Sequence, residues 1–196
     1  METTTEVTGA TGIEIPRSGS WAIDAAHSTV SFVAKHMMVS KVRGSFKNVT
    51  GDLHVADTIE GSSVEAVIDA ASIDTGTEQR DAHLRSPDFL DVERFPELRF
   101  KSTKVERTGP ATLKVEGDLT IRDVTRPVVL DVEYEGQVPN MHGGLRAAFS
   151  ATTEIDRDAF GITWNMALET GGVLVGKRVK IELEIAAVQI AAEQAA

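Results

Sequence analysis

Eight stretches of this chain alternate apolar and polar residues with a period of two, and together they dominate its middle. They run over 28–39, 42–55, 63–72, 97–105, 111–122, 126–137, 144–155 and 177–189. In the last, Val179, Ile181, Leu183 and Ile185 alternate with Lys180, Glu182 and Glu184. Side chains of a strand point to opposite faces in turn, so each stretch reads as a strand with one buried face. Turn signals at Gly61-Ser62, Thr108-Gly109-Pro110 and His142-Gly143-Gly144 separate several of them. Gly44 and Gly51 interrupt the second, which predicts a bend or bulge there. These strands exceed the usual mode of ~5–6 residues. Long antiparallel strands expose unpaired edges unless the sheet closes on itself. The expected fold is therefore all-β: an eight-stranded antiparallel up-and-down barrel, preferred to a sandwich. A barrel of that size has an interior that side chains can fill or that can hold one small ligand.

The chain of 196 residues suits one domain. Segment 1–19 is expected to be a flexible arm, 20–190 the barrel, and 191–196 a loose tail. The formal net charge of −10, without a basic cluster, argues against nucleic acid as a partner and against unaided docking on anionic membranes. With no cysteine, disulfides, thiolate catalysis and cysteine-ligated metals are excluded. No apolar run reaches the ~18–20 residues needed to span a bilayer, so stable membrane insertion is not expected. The first twenty residues show no secretory pattern, and the expected location is the cytoplasm.

One stretch breaks the alternation, 77–91, between the third and fourth strands. Thr77 or Asp74 is placed to cap a short helix, with Glu78 in its first turn and Ser86-Pro87 ending it. Arg80 and Leu84 would share a face, and Asp81 and Arg85 could pair at i,i+4. Leu84, Phe89 and Leu90 would plug or line one barrel end. Asp81 and His83 point apart on a helix, so a catalytic pair between them is not expected. Neither a nucleophile elbow nor a phosphate loop or dinucleotide fingerprint occurs. The histidines at 27, 36, 54, 83 and 142 have no metal-ligand spacing, and neither a metal site nor a catalytic residue is assigned.

Several motifs occur in order across roughly 20–190. Trp21-Ala-Ile-Asp24-Ala-Ala-His27-Ser28 is followed by Phe32, His36 and Val42-Arg-Gly44-Ser-Phe46. Then come Arg80-Asp81-Ala-His83-Leu84, Asp88-Phe89-Leu90-Asp91, Phe95-Pro96 and Phe100-Lys-Ser102. Gly117-Asp-Leu119-Thr120-Ile121, Thr125-Arg-Pro127-Val128 and Ile155-Asp-Arg157-Asp-Ala-Phe160-Gly161 complete the set. In these the chain resembles the YceI-like family. The resemblance implies a lipocalin-like extended barrel with a short helical lid, whose apolar cavity holds a long isoprenoid or a related, fatty-acid-like amphiphilic lipid. Asp123 stands where many relatives carry Gly in a turn.

The residues expected to line that cavity are Phe32, Ala34, His36, Phe46, Ile68, Leu84, Phe89, Phe100, Leu119, Leu130, Phe149 and Phe160. Small residues on the same faces, Ala34, Ala66, Ala147 and Ala151, would leave room for ligand. His36 would meet a head group at the mouth. Arg157 and Asp158 form a turn against one barrel end, open to pairing with the lid. No cofactor is expected beyond the lipid itself, and a homodimer is compatible with the long strands. Two other readings stay open: an enzyme acting on such a lipid through His36 or His83, and a structural barrel with a filled core.

Overall fold

A computed structural model describes residues 16–141, 143–169 and 171–190. Eleven strand segments build eight staves. β1 (Gly19–Ile23) and β2 (Thr29–His36) are two halves of one stave, and both pair antiparallel with β11 (Val175–Gln189). β3 (Ser40–Phe46) and β4 (Val49–Val55) form the second, pairing with β2 and β1 respectively. β5 (Ser63–Asp69) and β6 (Ile73–Asp74) form the third. β7 (Glu97–Arg107), β8 (Thr112–Ile121), β9 (Val124–Pro139) and β10 (Leu145–Asp156) follow as neighbours, and β11 closes the ring on β1. The result is a closed eight-stranded antiparallel barrel with the lipocalin-like architecture expected above.

The broken staves are repaired by side chains. At 24–28 the chain leaves the ladder through a short 3-10 turn whose start is capped by Asp24, which accepts from the Ala26 N–H. Buried Ser28 then replaces the lost bond: its Oγ accepts from Ala186 N–H at 3.0 Å and donates at 3.2 Å to Ala186 C=O, which also keeps the Asp24 amide at 2.8 Å. Ser72 does the same in the third stave, accepting from the Lys47 and Asn48 amides and donating to Asp69 C=O. A short hydroxyl side chain can satisfy buried backbone groups where strand pairing lapses.

The alternation did not reveal β1, because only five residues precede the Asp24 turn. As a result, 16–19 are anchored rather than loose. Pro16 is buried, the Arg17 N–H donates to Gln137 Oε1, and Trp21 Nε1 donates to Arg17 C=O at 3.0 Å. The rest of the expected arm, 1–15, the tail 191–196 and His142 lie outside the described residues. In the β8–β9 turn the left-handed residue is Arg122, at φ 59°, and Asp123 has an ordinary φ.

Candidate functional site: an apolar lumen

Inward positions of the staves enclose a cavity of about 320 Å³ with almost wholly apolar walls. Its size falls in the ~300–1,000 Å³ range of small-molecule sites. It follows β11 from Val175 through Val179, Ile181 and Leu183 to Ile185. Ten residues at ~3.3 Å each, tilted by ~40°, span roughly 25 Å along the barrel axis. Inward apolar residues such as Phe32, Ile68, Leu130 and Ile181 remain half-buried, as expected for side chains that face an unfilled lumen.

Two phenylalanines show how the lumen stays open. Phe32 lies opposite Gly44, and Phe100 is close to Gly117. A Cβ on Gly44 would sit 2.4 Å from Phe32 Cζ, and one on Gly117 the same distance from Phe100 Cζ. Each ring therefore lies flat against the bare backbone of a neighbouring strand, leaving the centre of the barrel free.

One end is closed by the lid. α1 (Glu78–Arg85) is capped differently from expectation: Thr77 makes no side-chain cap bond, and Asp81 does not pair with Arg85. Buried Asp81 instead accepts from the Thr75 amide at 2.9 Å and the Thr75 hydroxyl at 2.5 Å. Arg85 donates to the carbonyls of Ala71 and Ile73 and lies 3.7 Å from Glu78. Arg80 donates to the Thr75 hydroxyl and carbonyl and to the Thr77 hydroxyl. The lid is thus held mainly by bonds to turn and backbone atoms, and its apolar Leu84, Phe89 and Leu90 meet the lumen. His83 stacks edge-on against Phe89 and Trp164 at 5.0 and 4.7 Å, with Nε2 2.9 Å from Asp88 Oδ2. Neither His83 nor Asp88 lines the cavity.

Beside the lid the same end is floored by Arg157, 4 % exposed. Its guanidinium donates to the carbonyls of Ile162, Trp164, Val175 and Gly176, at 2.7, 2.9, 3.3 and 3.1 Å. It does not pair with the lid. Burial pushes its pKa down, and the nearby Asp158 and Asp156 charges oppose that. Asp158 itself pairs with Lys177 at 2.7 Å.

The opposite end is half-filled by a second apolar cluster around Trp21, 1 % exposed, with Val55, Tyr134, Ala147 and Ala187. Ala147 and Ala187 face each other across β10 and β11, and two small residues there leave the volume the indole takes. On the remaining side of this end Pro16, His54, Ser62 and Ser63 border the cavity with almost no polar atom open to it.

Of the twelve expected lining residues, Phe32, Ala34, Phe46, Ile68, Leu84, Phe89, Phe100, Leu119, Leu130 and Phe149 face the cavity. His36 does not: it is the last residue of β2, opposite Val175 and Ser40, beyond the Arg157 floor. Phe160 does not either. It is buried in the 3-10 turn Arg157–Phe160, which packs against β9 and β11 and puts the ring into the core. Ala147 belongs to the Trp21 cluster rather than the lumen wall. Arg157 as floor and Trp21 as plug were missed. Both sit in quoted motifs, but neither role has a periodic signal. Among the described residues no group of three or more His, Asp or Glu side chains could hold a metal ion.

The YceI-like domain profile matches residues 21–187, from the plug residue to the alanine beneath it. The chain belongs to the YceI-like family. A UPF0312 protein of Staphylococcus aureus strain USA300 is 40 % identical over 168 residues, covering 83 % of this chain and 94 % of that one. The crystal structure of Burkholderia cenocepacia BcnA superposes with a TM-score of 0.72 at 25 % identity, over 84 % of this chain and 98 % of BcnA. A polyisoprenoid-binding domain from Saccharophagus degradans shares the fold at a TM-score of 0.67 and 12 % identity, over 89 % and 100 % of the two chains. This YceI-like barrel has a closed, lidded end and an opposite end partly plugged by Trp21.

Proposed function

We propose that this YceI-like barrel binds a long-chain isoprenoid or related amphiphilic lipid in its lumen, and sequesters or carries it. The observation that carries the reading is the apolar lumen running nearly the whole barrel length. About 25 Å accommodates an extended chain of roughly twenty carbons at ~1.25 Å per bond. At ~0.8 kcal/mol per buried CH₂ such a chain gains ~16 kcal/mol gross, against association costs of ~4–15 kcal/mol. Binding then needs no hydrogen bond along the chain. The lidded end takes the tail, since it is closed by Phe89, Leu90 and the internally bonded Arg157. The head group lies toward the opposite end, beside the Trp21 cluster. The name of the Saccharophagus domain supports the ligand class by kinship of fold.

Native mass spectrometry of the protein isolated from its own source is expected to show a co-purifying lipid. Delipidated protein is expected to take up a polyprenol in titration. A barrel that carries no lipid and takes up no polyprenoid would refute the reading.

A further inference from the structure

The β2–β3 hairpin projects beyond the lidded end with three consecutive apolar residues at its tip. Met37, Met38 and Val39 are 48, 52 and 90 % exposed. A neighbouring small hairpin, in which Ala167 pairs with Val173, adds Met166 at 56 %. The two are joined, because the Met37 N–H donates to Leu174 C=O at 2.7 Å and Met38 lies against Gly172.

Two features of the first tip disfavour folding. Met37 and Met38 both hold left-handed backbone, at φ 50° and 62°, in a turn closed by the Val39 N–H on His36 C=O. Tight hairpins with two such residues prefer Asn-Gly, and L side chains with a full Cβ are strained there. Directly below, Lys35 lies opposite Lys41. Like charges facing each other across a strand pair repel. Neither lysine has an ion pair or hydrogen-bonded partner among the described residues. Arg43 and Lys177 nearby are matched by Glu182 and Asp158, and Glu169 is the exposed acid of the second tip. Strain concentrated with exposed apolar groups marks a surface kept for contact.

We propose that this double tip is a shallow, reversible docking surface for an anionic lipid bilayer. The exposed apolar surface is limited to four side chains on two hairpin turns, which suits the acyl boundary of a membrane, whereas a protein partner needs ~800 Å² of matched face. Lys35 and Lys41 stand where anionic head groups would meet them, and each such contact is favourable at the membrane surface. The charge that argues against membrane docking lies on the rest of the chain, −12 once these two lysines are set aside from −10, and its repulsion confines contact to this end and orients the molecule with it down. The docking stands independently of what the lumen holds.

The test is sedimentation of the full chain with vesicles of phosphatidylcholine, with and without phosphatidylglycerol, and free of isoprenoid. Binding is expected only with phosphatidylglycerol, and it should weaken with salt. Lys35→Gln with Lys41→Gln is expected to lower partitioning roughly tenfold or more. Met37→Asn with Met38→Gly relieves the strained turn while removing its apolar side chains. That variant is expected to melt at a higher temperature than the wild type and yet lose vesicle binding, which separates a contact role from misfolding. Equal sedimentation with both vesicle types would overturn the proposal, as would unchanged binding by the Asn-Gly variant. A dimer in solution that the Asn-Gly variant dissolves would also overturn it, assigning the tip to a second copy of the chain.

Discussion

Adding one methyl group at Gly44 tests whether the lumen is kept open by rings lying on bare backbone. The ideal Cβ would stand 2.4 Å from Phe32 Cζ and 2.8 Å from both Phe32 Cε1 and Thr75 Cγ2. Ordinary contact begins near 3.4 Å, so the ring edge must retreat by 3.4 − 2.4, about 1 Å. Gly44 has no positive φ, so the backbone accepts Ala, and all three clashing atoms are side-chain atoms. The wall blocks retreat outward, and the ring swings into the lumen. If it takes the place of about three ligand carbons, binding loses roughly 2.4 kcal/mol, or about fiftyfold in Kd. Stability changes less: overpacking costs ~1–3 kcal/mol, offset by ~0.4–1 kcal/mol from a stiffer unfolded chain. The assay is a polyprenol titration by fluorescence or calorimetry, with thermal melts alongside. Phe32→Leu in the Gly44→Ala background removes the clashing ring and is expected to restore affinity to within about threefold of Phe32→Leu alone. Unchanged affinity in Gly44→Ala, or additive effects with coupling below ~0.5 kcal/mol, would refute the reasoning.

Arg157→Met removes four hydrogen bonds to carbonyls, of which only Val175 keeps another side-chain donor, the Asn165 amide; at ~1 kcal/mol per lost bond the cost is about 4 kcal/mol, or ~8–16 °C in Tm. Arg157→Lys should recover only part of this, since an ammonium cannot fork to four acceptors, and melting curves decide. Trp21→Ala empties the plug between Ala147 and Ala187, costing about 3–5 kcal/mol in denaturant unfolding and raising the lipid off-rate in a competition assay. Asp24 gives an acid signature. Burial pushes its carboxyl up, but the His27 hydrogen bond and charge, the Ala26 amide and the Arg146 guanidinium together hold it below the ordinary 3.8. A depressed folded pKa stabilises above that value and is lost as pH falls through the folded one. The Tm gap between wild type and Asp24→Asn should therefore close as pH falls below about 4, and a gap unchanged at pH 3 would count against the linkage.

Period-two alternation depends only on which face of a strand each residue takes. That local property reports the eight staves and most of the lumen wall, including Phe100, Leu119 and Leu130. It failed where a side chain's destination depends on how a strand ends. His36 is in phase with Ala34, yet β2 outruns the cavity floor there, so the phase is correct and the depth is wrong. Phe160 follows a strand into a 3-10 turn, where the two-residue period no longer applies. β1 was invisible because five residues are too few to show a period. The lid was legible as a helix from its break in pattern. Its bonding was not, because Asp81 chose Thr75, which reaches it only through the turn before the helix.

The amino-acid sequence by itself determined the strand periodicity, the number of staves, the position of the lid and the absence of thiol chemistry. Whether the barrel is hollow is a question of volume at one depth, set by residues far apart in the chain. Gly44 yields space to Phe32, and Ala147 and Ala187 yield it to Trp21. Arg157 gathers carbonyls from the loop after it and from the start of β11, up to nineteen positions away. Only the tertiary structure decides these, because packing is a property of neighbours in space, and closure of the ring makes neighbours of β1 and β11 from opposite ends of the chain.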